Sequence, residues 1–274
     1  MRRDGSGPHY GAPVPDFDER FPGTDLDPAV WTASYLPAWS SRAKSAATYA
    51  VGGGALRLSI PPEQGLWCPD LHETPLRVSA VQSANRSGPI GSTDGQQPFR
   101  DGLLVREEQP TVLGFTPFHG HVAVSCRAAL SPRSMFSAWL VGLEDRPERC
   151  GEICVVEIFG DALATDADRR PTARYGCGVH AFRDPDLVED FAAPTVALDV
   201  ARTHTYAMTW TADGVDFLLD GALVRSTTQS PGYPLLLILG LFDFPDRATA
   251  AQRDGEPPPT PELVVERVWG QPPA

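Results

Sequence analysis

The chain has 274 residues, 42% of them hydrophobic, with 28 prolines and 25 glycines, enough apolar material for a large core and too many backbone breakers for long helices. Its formal net charge of −12 argues against nucleic acid or an anionic membrane surface as a partner, because phosphate contacts need clustered Lys and Arg. All-β sandwiches run to about 250 residues as one domain, and no interdomain linker interrupts this chain.

Residues 1–15 are rich in Gly and Pro without periodicity and read as a flexible arm ahead of a single domain over residues 16–274. No apolar run follows Arg2 and Arg3, so neither a signal peptide nor a membrane anchor is expected there, and no segment is long enough to span a bilayer. The expected setting is a reducing cytoplasm, or the exterior if a leader is missing, and the expected state is a monomer. Thr48–Val51, a turn at Gly52-Gly53-Gly54 and Leu56–Ile60 predict a hairpin. The proline-bearing stretch Pro61–Pro75, with Trp67 and Cys68, predicts a loop rimming a sheet. From His121 to Ala129, Val122, Val124 and Cys126 alternate with Ala123, Ser125 and Arg127, a half-buried strand whose second face is expected to meet a ligand. Tyr206, Met208 and Trp210 alternate with smaller residues, and Asp213-Gly214 and Asp220-Gly221 supply turns for a three-stranded meander. Asp243–Pro259 is charged and proline-rich and reads as a surface excursion. The five cysteines form no even framework and suit small hydrophobic strand positions as free thiols.

The chemistry-bearing segment is Cys150–Gly160, which sets Glu152 and Glu157 among β-branched and apolar residues, where carboxylates are costly. Side chains on a strand alternate, so a spacing of five puts the two acids on opposite faces. A β-bulge at Val155-Val156 returns both to one face with Cys154 between them. Their backbones would then lie roughly 13 Å apart, a gap that two glutamates leaning together on a curved sheet could narrow to about 5 Å, the separation of a retaining glycosidase. Two exposed acids on an edge strand are the alternative.

The run Glu152-Ile153-Cys154-Val155-Val156-Glu157 resembles the Glu-x-Asp-x-x-Glu signature of glycoside hydrolase family 16. The likeness extends in order through Phe17–Phe21 with Leu26–Trp31, Phe136–Leu140, Gly178–His180, His204–Trp210 with Phe217–Arg225, and Val264–Trp269. It implies an all-β fold, a concanavalin A-like jelly roll of two antiparallel sheets, cleaving O-glycosidic bonds in a β-linked poly- or oligosaccharide. The resemblance makes Glu152 the nucleophile and Glu157 the acid/base, puts Trp139 on the concave sheet as a stacking surface for sugar, and brings His180 near the pair to bond substrate or Glu157. Two positions depart from the pattern. Cys154 stands where the family's central Asp tunes the pair, and Leu235–Leu239 leads into Gly240 where a substrate-side Asn usually follows. A lectin-like binder without turnover is therefore the competing reading.

No cofactor and no metal are expected. His119 and His121 would share one strand face but lack a third ligand, and Asp161, Asp166 and Asp168 lack the glycine-bearing pattern of a calcium loop. Trp31, Trp210 and Trp269 read as core. Trp39, Trp67, Phe118 and Phe242 are candidates for the border of a cleft.

Overall fold

The computed structural model describes residues 16–247 and 259–272. The expected arm at 1–15 and most of the Asp243–Pro259 excursion lie outside the described residues. One sheet has eight strands: β1 (Phe17–Glu19), β2 (Thr48–Gly52), β3 (Ala55–Ser59), β7 (Gly120–Ala129), β15 (His204–Thr211), β16 (Gly214–Leu219), β17 (Ala222–Thr227) and β19 (Glu262–Gln271). Their order is β17-β16-β15-β7-β19-β3-β2, with β1 also on β19. The second sheet has six: β4 (Arg77–Gln82), β8 (Ser134–Gly142), β9 (Glu152–Phe159), β12 (Gly176–His180), β13 (Asp190–Ala192) and β18 (Leu235–Asp243), ordered β13-β12-β9-β8-β18-β4. Two small ladders complete the set, β5 (Ala84–Asn85) with β6 (Val112–Leu113), and β10 (Leu163–Thr165) and β14 (Thr195–Ala197) flanking β11 (Pro171–Arg174). Every strand pairing is antiparallel. The fold is the two-sheet jelly roll expected from the resemblance.

Between the sheets Leu56, Leu58, Met208 and Phe217 meet Phe136, Leu140, Ile153 and Ile158, all fully buried or nearly so. A second core lies on the other face of the six-stranded sheet, where loop residues Leu36, Trp39, Trp67 and Leu103 cover Trp139, Val141 and Ile238. That sheet is thus buried on both faces over much of its area, which is why β18 is apolar at nearly every position while β15 alternates.

The hairpin of β2 and β3 and the meander of β15 to β17 form where the turn residues predict them. Three expectations fail. β7 belongs to the eight-stranded sheet, and its polar side meets neighbours of that sheet, Ser125 bonding Thr205 at 2.8 Å and Arg127 bonding Glu266 at 2.5 Å, far from any cleft of the other sheet. Trp269 is only half buried and carries the Arg267 guanidinium 4.4 Å above its ring, a cation–π contact at the surface. Asp243 is not part of a surface excursion but the buried end of β18, held by Arg133 through bonds of 2.5 and 2.6 Å.

Candidate active site

The register of β9 decides the site. Against β8, Glu157 faces Ser137 and Val156 faces Ala138, but Trp139 then faces Cys154, so Val155 is an extra residue. The same slip appears against β12, where Gly176 faces Glu157 and Gly178 faces Cys154. Val155 and Val156 both enter the core between the sheets, and the alternation is reset at that bulge. Glu152 and Glu157 therefore line one cleft of about 330 Å³ with Ser137, Trp139, Tyr35 and Phe242. The expected bulge is where the valine pair places it.

The two acids differ in their electrostatic surroundings. Glu152 is the more deeply enclosed acid, and burial first, then the charge of Glu157, push its carboxyl up to about 8, while a hydrogen bond donated by Gln97 Nε2 to Glu152 Oε2 at 2.9 Å pulls the other way. Glu157 is also raised by burial, and His180 and Arg247 hold it back. Both carboxyls are raised, and the larger shift belongs to Glu152 rather than to Glu157.

This shift has a consequence for stability. The folded chain keeps a proton on Glu152 between the ordinary value of 4.5 and about 8, so the group's favourable contribution is full below 4.5 and is lost as pH rises through about 8. Glu152→Gln cannot ionise. Thermal melts should show the variant several degrees more stable than the parent at about pH 9 and the two alike at about pH 5. Equal melting at both values would contradict a buried carboxyl.

Cys154 points to the concave face but lies behind the cleft lining, buried, with its Sγ 4.0 Å from Ser137 Oγ. Burial and the two flanking carboxylates raise its thiol well above the ordinary range, so it adds no charge. Trp139 does not offer an open ring face. It is 5% exposed, edged by Tyr35 at 6.3 Å and tilted on Phe242 at 5.8 Å. Gly240 permits this packing, since a Cβ there would come within 2.6 Å of the Phe242 ring and 2.9 Å of the Trp139 ring. The position where the resemblance implies a substrate-side Asn is thus roofed by aromatic rings. His180 stands opposite Glu152 in the register of β9 and β12, with its Nδ1 2.6 Å from Glu189 Oε1 and its ring stacked on Phe191 at 4.7 Å.

The other candidates separate. His119 precedes β7 with φ 62° and stacks on Phe118, while His121 meets Thr209 at 3.4 Å, so the imidazoles do not share a strand face. Asp161, Asp166 and Asp168 are exposed. Among the described residues no three His, Cys, Asp or Glu side chains are grouped to hold a metal. Trp39 is fully buried and Phe118 packs on Trp210, so neither borders the cleft, whereas Trp67 and Phe242 line it or its extension. The five cysteines are all buried and unbridged. Sequence reasoning missed Tyr35, Gln97, Glu144 and Arg183, which come from loops with no periodicity to mark them.

Fold and site together define a jelly-roll protein with a carboxylate-bearing cleft of glycoside-hydrolase type. Residues 114–249 match the family model described as "Glycosyl hydrolases family 16", and the chain resembles that family in sequence and in fold. Similar solved structures include a GlcNAcα1-4Gal releasing endo-β-galactosidase from Clostridium perfringens, at TM-score 0.73 and 24% identity over 97% of this chain. This chain covers 64% of that enzyme's length. The laminarinase catalytic domain from Thermotoga maritima MSB8 aligns at TM-score 0.57 and 14% identity over 94% of this chain and 97% of its own. An endo-β-1,3-glucanase from Pyrococcus furiosus aligns at 0.56 and 16% over 94% of each chain. No curated protein sequence matches the chain. No described helix is long and apolar enough to cross a membrane.

Proposed function

We propose that the chain is a retaining glycoside hydrolase acting on O-glycosidic bonds of a neutral β-linked glycan, with Glu152 as nucleophile and Glu157 as acid/base. The observation that carries this reading is the β9 bulge, which brings both carboxylates into one cleft. Glu152 attacks the anomeric carbon while Glu157 protonates the leaving oxygen, and Glu157 then deprotonates the incoming water. Attack requires the proton on Glu157. Positive charge developing at the anomeric carbon favours an ionised Glu152, and so does the Gln97 amide, so both favour the proton on Glu157 as the transition state forms. The names of the similar enzymes, an endo-β-galactosidase and endo-β-1,3-glucanases, set the first substrates to try.

Glu157→Gln tests the acid role. It should lose roughly 10²- to 10⁴-fold in rate on glycosides with poor leaving groups and far less on activated aryl glycosides, which need no protonation. Equal losses on both would assign Glu157 to binding. Carbohydrate binding without turnover is the second reading, favoured by the neutral Cys154 between the acids and by the rings over Gly240. Reducing-sugar release from β-galactans and β-1,3-glucans by the parent, absent in Glu152→Gln, separates the two.

A further inference from the structure

The cleft continues past Glu152 into a cavity of about 160 Å³ that the carboxylate chemistry does not use. Its wall is an interlocked aromatic set: Tyr35 on Trp67 at 5.0 Å, Trp67 on Phe99 at 4.9 Å, and His72 against both at 5.5 and 5.4 Å. Phe182, 59% exposed, stands at the same wall. Interlocking rings resist collapse and present C–H and π surface to a ligand.

Gln97 is one of the side chains that belong to both compartments. It donates through Nε2 to Glu152, and leaves its Oε1 buried with no hydrogen-bond partner among the described residues. Its position is fixed at the backbone, which has φ 44° and donates its N–H to Glu144 Oε1 at 2.6 Å. Glu144, also left-handed at φ 51°, takes Arg183 Nη2 on its other oxygen at 2.5 Å. Because Nε2 is committed to Glu152, the amide cannot turn to satisfy its oxygen, and a buried acceptor without a donor is destabilising.

We infer that this cavity is a subsite for a neutral sugar bearing an acetamido group, whose N–H donates to Gln97 Oε1 and whose methyl packs on the aromatic wall. The inference rests on Glu152 marking the reacting centre. A sugar hydroxyl pushed against Trp67, Phe99 and Leu76 would give up water without enough partners, whereas an acetamido group ends in a methyl and offers one directed N–H. Arg183 uses one donor on Glu144 and keeps others for the acetamido carbonyl. An anionic sugar is disfavoured, since that guanidinium is already paired and the chain carries −12. Binding also fixes Gln97 with Nε2 toward Glu152, so a filled subsite orients the nucleophile.

Saturation-transfer NMR on the intact protein tests this with N-acetylglucosamine and N-acetylgalactosamine against glucose and galactose. The N-acetyl methyl should receive the strongest saturation, and the acetamido sugars should bind at least about tenfold more tightly than their parents. Gln97→Met and Phe182→Ala should each remove most of that preference. Phe182 is exposed, so its removal leaves the fold intact. Equal binding of acetamido and parent sugars, no binding of either, or an unchanged preference in folded Phe182→Ala would overturn the subsite. Acetamido preference in a protein that hydrolyses no β-glycoside keeps the subsite and removes the hydrolase reading. Hydrolysis without acetamido discrimination does the reverse.

Discussion

Glu152→Ala should lower hydrolysis by roughly four to six orders of magnitude, the loss seen when a covalent nucleophile is removed from a working set. The fold should survive, because among the described residues the Glu152 carboxyl bonds only the Gln97 side chain and its truncation relieves a costly buried carboxyl. Azide should restore turnover on an activated aryl glycoside, entering the space the carboxylate leaves and giving a glycosyl azide of inverted configuration. The combination is diagnostic, since a residue serving only to bind sugar would not be replaced by a small anion. Undiminished hydrolysis by the alanine variant would remove Glu152 from the mechanism.

The largest effect on stability is expected at Arg133 and Asp243. Their two bonds, at 2.5 and 2.6 Å, join side chains only 9% and 3% exposed, and Arg77 adds a contact at 3.5 Å to the same carboxylate. Deleting one partner strands the other's charge out of water, which costs about 3–5 kcal/mol. Asp243→Ala should therefore lower the melting temperature by roughly 10 °C, and the paired replacement Arg133→Met with Asp243→Leu should recover much of the loss. A near-parental melting point for Asp243→Ala by calorimetry would show that water reaches the pair.

The legible part of this chain is the part governed by periodicity. Tyr206, Met208 and Trp210 alternate because β15 has one face on the core, and Asp-Gly pairs end its neighbours in tight turns, so the meander follows from local rules. The bulge followed from two consecutive valines between acids that must share a face. What stayed hidden depends on contacts distant in sequence. β7 alternates in the same way whichever sheet it joins, so its pattern could not say that its second face meets Thr205 and Glu266. Trp139 could be placed on the concave sheet, but its covering by Tyr35 and Phe242 depends on a loop and on Gly240. The hydrogen bond that Gln97 donates to Glu152 comes from a loop whose 96–98 stretch carries no pattern.

Trapping the covalent intermediate tests the central claim most directly. A 2-deoxy-2-fluoro β-glycoside with a good leaving group should glycosylate the carboxylate faster than water releases it, because the fluorine destabilises both transition states while the leaving group rescues only the first. Intact-mass spectrometry should then show one added glycosyl unit, and fragmentation should place it on Glu152. A label on Glu157, or hydrolysis of the parent glycoside with inversion at the anomeric carbon, would contradict the account.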